Sequence, residues 1–130
     1  MNAAARKNAI SQYRKVDIRS NVEAASPHRL IEMLIDGALE KISFARGAME
    51  RREIATKCEA IDWSLAILDG LHSSLDMQRG GDIANNLSNL YEYMMKRLTQ
   101  ANASNDLASL DEVTRLLGEV REGWQAIRPH

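Results

Sequence analysis

Residues that break helices or cross-link chains are scarce in this sequence. Its 130 residues include 2 prolines and 7 glycines, and such low numbers beside abundant Ala, Leu, Glu, Lys and Arg are typical of an all-α protein. Cys58 is the single cysteine, which excludes an intramolecular disulfide and fits a reducing cytoplasm. No apolar run approaches the ~18 residues of a membrane helix, and the first residues lack the pattern of a secretory signal. We therefore expect a cytoplasmic protein without membrane insertion.

A strong charge of one sign is also missing. The formal net charge is −1, so no global field favours nucleic acid or an anionic membrane surface. The distribution is uneven, since residues 1–25 carry a net charge of +3 and the remaining residues −4. A basic arm of this kind can lie against an acidic body or stay solvated, and charge alone favours the solvated tail.

Four long amphipathic segments follow the first 25 residues. Apolar side chains in each recur at steps of three and four, the period of a helix with one buried side. We predict helices that start near Pro27, Ile54, Ile83 and Leu110, and short loops between them favour an antiparallel up-down-up-down four-helix bundle over residues 26–130. Residues 1–25 are expected to form an arm, with a short helix over 3–13 and an irregular stretch over 14–25.

Capping residues predict the helix ends. Ser26 with Pro27 is a helix start, because Ser caps the free backbone N–H groups and Pro lacks one. The second helix is expected to run to about Met77. Asp82 is the predicted cap of the third helix, and Ser109 with Glu112 forms a predicted capping box for the fourth. Ile83 is expected to face inward, and Phe44 is expected to widen the apolar sector of the first helix.

No constellation for catalysis emerges. A di-iron bundle needs an inward Glu-x-x-His on two helices, and neither His28 nor His72 has a Glu three residues before it. His72 and Cys58 occupy inward positions of the second helix, where a structural role is favoured over a ligand or base. Gly80-Gly81 fits a helix break better than a phosphate loop. The sequence predicts no enzyme, no metal and no cofactor, although a ferritin-like or phosphotransfer enzyme stays open as a rival.

The second helix carries more apolar residues than one buried side requires. Besides an inward seam that includes Cys58, Ile61, Leu65 and Leu68, a second stripe comprises Ala60, Trp63, Ile67, Gly70 and Leu71. One interpretation is that the bundle leaves this stripe open, so that the chain's own arm, through Ile10 and Tyr13, or a partner helix covers it. The other is that the buried side is broader than the seam and the stripe is its edge. The period of the apolar residues is consistent with both interpretations.

Two long motifs resemble a known family. Residues 26–39 (SPHRLIEMLIDGAL) are similar to the opening helix of the flagellar secretion chaperones, the FliS family. A longer match comprises SLDM (74–77), GGDIA (80–84), NL (86–87), LY (90–91), YM (93–94), RL (97–98), AN (101–102) and ND (105–106). EV (112–113), LL (116–117), Arg121 and Trp124 continue the resemblance, which covers about residues 10–125.

The resemblance implies a cytoplasmic chaperone that binds the disordered C-terminal part of flagellin. Such a protein prevents premature polymerisation and assists delivery to the flagellar type III export apparatus, so the export gate and other flagellar regulators are further expected partners. A related co-chaperone or adaptor for other flagellar proteins is the alternative. An exposed apolar stripe would also permit a homodimer without client.

Six residues are the predicted client-binding set. Their apolar side chains lie on the outer stripe of the second helix, on the outer side of the third, or on the arm: Ile10, Tyr13, Trp63, Ile67, Leu71 and Tyr93. The arm is expected to compete with the client for apolar surface of the bundle.

Overall fold

The computed structural model describes residues 26–127, which form four helices. They are α1 (Pro27–Glu50), α2 (Ile54–Ser73), α3 (Met77–Ser104) and α4 (Leu107–Ala126). In this range α1 and α3 each lie against α2 and α4, whereas the backbones of the diagonal pairs stay apart. The predicted all-α four-helix bundle is confirmed. The arm, with Ile10 and Tyr13, lies outside the described residues.

Local chemistry explains where the first two helices begin. The Ser26 hydroxyl accepts a hydrogen bond of 3.1 Å from the backbone N–H of Arg29, and Pro27 is the first helical residue. Both predicted starts, at Pro27 and Ile54, are confirmed. The second helix ends earlier than predicted, at Ser73, because Ser74 turns back onto it and donates its hydroxyl to the Leu71 carbonyl oxygen at 2.7 Å.

The last two helices begin earlier than predicted, at Met77 and Leu107, although α3 breaks at Gly81, beside the start predicted at Ile83. Asp76, not Asp82, caps α3 and accepts from the backbone N–H groups of Gln78 and Arg79 at 3.1 and 3.0 Å. Asp106 caps α4, and its carboxylate accepts from Ala108 N–H at 3.0 Å and from the Ser109 hydroxyl at 2.8 Å. The expected capping box does not form, since the carboxylate three residues earlier occupies the Ser109 hydroxyl.

The helix break predicted at Gly80-Gly81 is present, but it lies inside α3 and does not separate two assigned helices. Gly81 has φ 54° and ψ −130°, which is not helical, so the first turn of α3 meets the rest of the helix at a kink. Ile83 follows the kink and is 73% exposed, which corrects its predicted inward position. The kink turns this residue away from the core.

All four helices contribute to one hydrophobic core. Its largest fully buried side chains are Leu34, Ile35, Ile42, Ile61, Ile67, Leu68, Leu71, Met94, Leu98, Leu110, Val113 and Leu117. Ion pairs tie α1 to α4 at the surface: Arg46 donates from Nε to Asp111 Oδ1 at 2.7 Å, and Arg121 donates to Asp36. Within residues 26–127, no helix combines the length and hydrophobicity of a membrane span.

Acid should weaken the bundle through α4. Hydrogen bonding from Arg46 lowers the pKa of Asp111, and hydrogen bonding from Ser109 lowers the pKa of Asp106. Because both pKa values are lower in the folded state, the unfolded state binds more protons in the acid range and stability falls as the pH drops. We expect the thermal midpoint to decline between about pH 5 and pH 2.

The variant Asp111→Asn measures how much the Asp111 carboxylate contributes to this decline in the thermal midpoint. It should melt below the wild type at neutral pH and converge with it at low pH, where the wild-type carboxylate is also neutral. Calorimetric scans at several pH values measure both midpoints. A difference that stays constant down to the lowest pH would contradict the assignment.

Candidate functional site

The second helix buries one broad face instead of two separate stripes. Ser64, which is 0% exposed, lies at its centre. At about 100° per residue, Ala60, Ile67 and Leu71 lie on one side of Ser64 and Ile61 and Leu68 on the other, all within about 60°. The Ser64 hydroxyl donates to the Ala60 carbonyl oxygen at 2.9 Å, so the central polar group is satisfied within the helix. The second interpretation of the apolar pattern, an edge of one broad face, agrees with this burial.

The expectation that the bundle leaves the whole second stripe open is therefore wrong. Ile67 and Leu71 are 0% and 1% exposed and belong to the core. Neighbouring helices cover them because the buried face is centred on Ser64, about 60° away from the seam predicted from sequence. Trp63 differs, since it is half-buried and packs against the core from its edge.

A partly exposed aromatic surface remains where α1 meets α2. The ammonium of Lys41 lies 4.8 Å from the centroid of the Trp63 ring, a cation–π distance. Phe44 follows Lys41 by three residues, so both lie on one side of α1, and Phe44 is 55% exposed. We call this surface, Lys41, Phe44 and Trp63, the α1/α2 flank.

Sequence reasoning missed Phe44 as a surface residue. It was expected to widen the apolar sector of the first helix, but Ala45 and Ala48 take the core positions beside it and are 0% exposed. The small side chains of Ala45 and Ala48 suit the close packing of two helices, and this could have indicated that the larger Phe44 side chain beside them points outward. The pattern of residue types did not show which of these neighbours faces inward.

Tyr93 lies on a different side of the bundle from Trp63. Its hydroxyl donates to Glu112 on α4 at 2.9 Å, and Arg97 donates to the same carboxylate oxygen at 2.7 Å. These two bonds lower the pKa of Glu112, and the bond to Glu112 raises the pKa of Tyr93. Since its bond directs Tyr93 toward α4, which is diagonal to α2 in the bundle, Tyr93 does not extend the α1/α2 flank.

His72 and Cys58 are held between α2 and α3, whereas His28 on α1 stacks on the Trp124 ring of α4 at a centroid distance of 4.5 Å. His72 Nε2 lies 2.9 Å from Ser88 Oγ and 3.3 Å from Glu92 Oε1. The Cys58 thiol lies 3.4 Å from Asn102 Oδ1. A Ser-His-acid relay needs the acid on the other ring nitrogen, so the His72 cluster is not arranged as one. Within residues 26–127, no three His, Cys, Asp or Glu residues are grouped as metal ligands.

The fold and the flank together define a helical-bundle protein whose candidate site is a contact surface. A model of the family described as flagellar protein FliS matches residues 9–130. The chain belongs to this family.

Named relatives span nearly the whole chain. It is 50% identical over 119 residues to flagellar secretion chaperone FliSB of Pseudomonas aeruginosa, covering 92% of this chain and 94% of that protein. It is 45% identical over 123 residues to flagellar secretion chaperone FliS of Salmonella typhimurium, covering 94% and 91%. The Vibrio cholerae chaperone of the same name is 39% identical over 123 residues, covering 95% and 90%. The family supports an export chaperone role, which requires binding of a client protein and is not an enzyme class.

Proposed function

We propose that this protein is the cytoplasmic export chaperone of flagellin. It binds the disordered C-terminal region of the filament subunit, prevents premature polymerisation and assists delivery to the flagellar type III export apparatus. The observation that carries the proposal is family membership over residues 9–130. The α1/α2 flank, with exposed Phe44 and half-buried Trp63, supplies aromatic surface to bind such a client.

The chemistry of the flank suits an amphipathic client helix. The Trp63 ring and the 55% exposed Phe44 offer apolar area, and the Lys41 ammonium beside the Trp63 ring can pair with an acidic client residue. Covering the apolar face of a client helix suppresses the self-association of the client. Ordering a disordered segment costs free energy, so the client must bury more area than this flank alone provides.

Tyr93 gives a second contact point in this proposal. It is 43% exposed and lies on the α3/α4 side. A client that wraps around the bundle can contact Trp63 and Tyr93 in succession, whereas one straight helix cannot. Ile67 and Leu71 then support the flank from the core beneath it, while Ile10 and Tyr13 of the arm remain proposed contacts.

Replacing Phe44 by Asp tests the flank. Calorimetric titration with the C-terminal segment of the same organism's flagellin should show binding weakened at least about tenfold, because the new charge must be desolvated in an apolar contact. The thermal midpoint should stay close to that of the wild type, since the Phe44 side chain is 55% exposed. The matched control is Ile127→Asp, which adds the same charge at a 64% exposed position at the end of α4.

Two results would redirect the proposal. If wild-type protein failed to bind the flagellin segment but captured another flagellar protein, the co-chaperone or adaptor alternative would replace it. If Phe44→Asp and Ile127→Asp bound the segment with equal affinity to the wild type, the client surface would lie elsewhere on the bundle. Sedimentation of the protein without flagellin tests the homodimer that exposed apolar surface permits.

A further inference from the structure

The Tyr93 side chain spans the gap between α3 and α4. Its ring leaves α3, and its hydroxyl donates to Glu112 Oε1 on α4 at 2.9 Å. The side chain is 43% exposed although its far end is hydrogen-bonded, so much of the aromatic ring is open to solvent. Water can satisfy an exposed hydroxyl. The bond to Glu112 therefore fixes the direction of the ring without being required to satisfy the hydroxyl.

Glu112 is itself held in place by Arg97. This arginine lies one turn after Tyr93 on α3 and donates from Nε to the same Glu112 oxygen at 2.7 Å. It also donates from Nη1 to Gln100 Oε1 at 2.9 Å, which orients the guanidinium. The Arg97 and Glu112 side chains are 27% and 31% exposed, so this pair is less open to solvent than Arg115–Glu119 on α4. The Tyr93 hydroxyl therefore meets an acceptor with a fixed position.

The protonation of the two partners strengthens this bond. Hydrogen bonds from Tyr93 and Arg97 lower the pKa of Glu112, so the acceptor is a carboxylate at neutral pH. The same bond raises the pKa of the Tyr93 phenol, so the donor keeps its proton. A hydrogen bond to an ionised acceptor is about twice as strong as one between neutral groups.

Two leucines extend the ring into an apolar surface. The bond between Tyr93 and Glu112 places these residues at one level of two neighbouring antiparallel helices. Leu90 lies three residues before Tyr93 and Leu116 four residues after Glu112, so both lie about one turn further in the same direction. Both leucines are half-buried at the edge of the core. We call Tyr93, Leu90 and Leu116 the α3/α4 platform.

We propose that Glu112 and Arg97 are positioning residues, which hold the Tyr93 ring ready to receive an apolar side chain of the client on the α3/α4 platform. This inference rests on the proposed function and adds the chemistry of one client contact. Because the one proton of the Tyr93 hydroxyl is already donated, the client meets the ring and the leucines through apolar contact. A side chain that is ordered before binding loses less conformational freedom, and this raises the affinity.

A double-mutant cycle tests the positioning role. Calorimetric titration with the C-terminal segment of the same organism's flagellin measures the affinity, and urea denaturation measures the stability of each variant. Tyr93→Ala should weaken binding at least about tenfold, because the ring is lost. Tyr93→Phe and Glu112→Ala should each weaken it about two- to tenfold, since the ring remains but is no longer held. The double variant should bind as Tyr93→Phe does alone.

A merely structural role for Glu112 predicts a different cycle. If Glu112 only joins α3 to α4, Glu112→Ala should lower the affinity as much in Tyr93→Phe protein as in the wild type, which would overturn the inference. Glu112→Gln keeps a neutral acceptor for the hydroxyl and should recover most of the affinity that Glu112→Ala loses. The control Glu119→Ala removes a carboxylate that pairs with Arg115 at 3.2 Å on the same helix, and should bind like the wild type.

The outcomes separate this inference from the proposed function. Wild-type protein that failed to bind the segment would overturn both, whereas unchanged binding by Tyr93→Ala would overturn only the platform. If Tyr93→Ala dissociated a homodimer in sedimentation and bound the segment normally, the platform would belong to a second copy of the chain. Without any client, the NMR signal of Tyr93 Cζ should titrate at higher pH in the wild type than in Glu112→Ala. Equal titration would contradict the bond on which the positioning role depends.

Discussion

Replacing Ile67 by Asp should unfold the bundle and not merely weaken client binding. The Ile67 side chain is 0% exposed and packs in the core shared by the four helices. The substitution removes apolar burial and places a carboxylate where no partner is provided, at a cost of about 4 kcal/mol or more. Such a loss approaches the whole stability of a small domain, which is about 5–15 kcal/mol. Urea denaturation followed by circular dichroism measures it.

The matched control is Ile67→Val. It removes one methylene group from the same site and should cost only about 0.5–1.5 kcal/mol. Trp63→Ala provides a second comparison on the same helix, because Trp63 is only half-buried. A folded Ile67→Asp variant that lost only flagellin binding would show that the second stripe lies open in solution, as one interpretation of the sequence expects.

Substituting Gly81 by Ala should destabilise α3 at its kink. Gly81 has φ 54° and ψ −130°, a combination that residues with a side chain rarely adopt, and forcing one there costs about 1–3 kcal/mol. A Cβ atom at this position would meet nothing within 4 Å, so the strain comes from the backbone alone. The expected result is a lower urea midpoint, with faster amide hydrogen exchange over residues 77–84.

Gly118→Ala is the control for this substitution. A Cβ atom at Gly118 would also have open space around it, but this glycine lies within α4 and has no positive φ. Ala there should stabilise the helix by about 0.5–1 kcal/mol. If both variants gained the same stability, residues 77–104 would form one continuous helix without a kink.

The four helical segments could be predicted from the sequence, because helix formation depends on local signals. Ser26 and Pro27 mark a start whose hydrogen bonds lie within three residues, and the apolar period of each segment predicts one buried side. Boundaries failed where two local caps competed. Asp76 and Asp106 cap α3 and α4, and both stand earlier in the chain than the predicted caps Asp82 and Ser109.

The candidate site was less accessible to sequence reasoning. The centre of the buried face of α2 carries Ser64, and Lys57 is buried on the same face. Both residue types normally mark solvent, so the apolar positions on either side looked like two stripes. Ser64 is satisfied by its own helix, but Lys57 is held by acceptors 45 and 48 residues away. A local pattern cannot show that a distant loop will receive an ammonium.

The sequence by itself determined the class of fold, the number of long helices, the first two starts and the family resemblance. Only the tertiary structure decided which residues of α2 are buried, that Phe44 stays exposed while Ala45 and Ala48 face inward, and that Trp63 and Tyr93 lie on different sides. The physical reason is that a helix carries its own hydrogen bonds, whereas burial depends on the neighbours that cover each face. Those neighbours come from parts of the chain that no local pattern relates to one another.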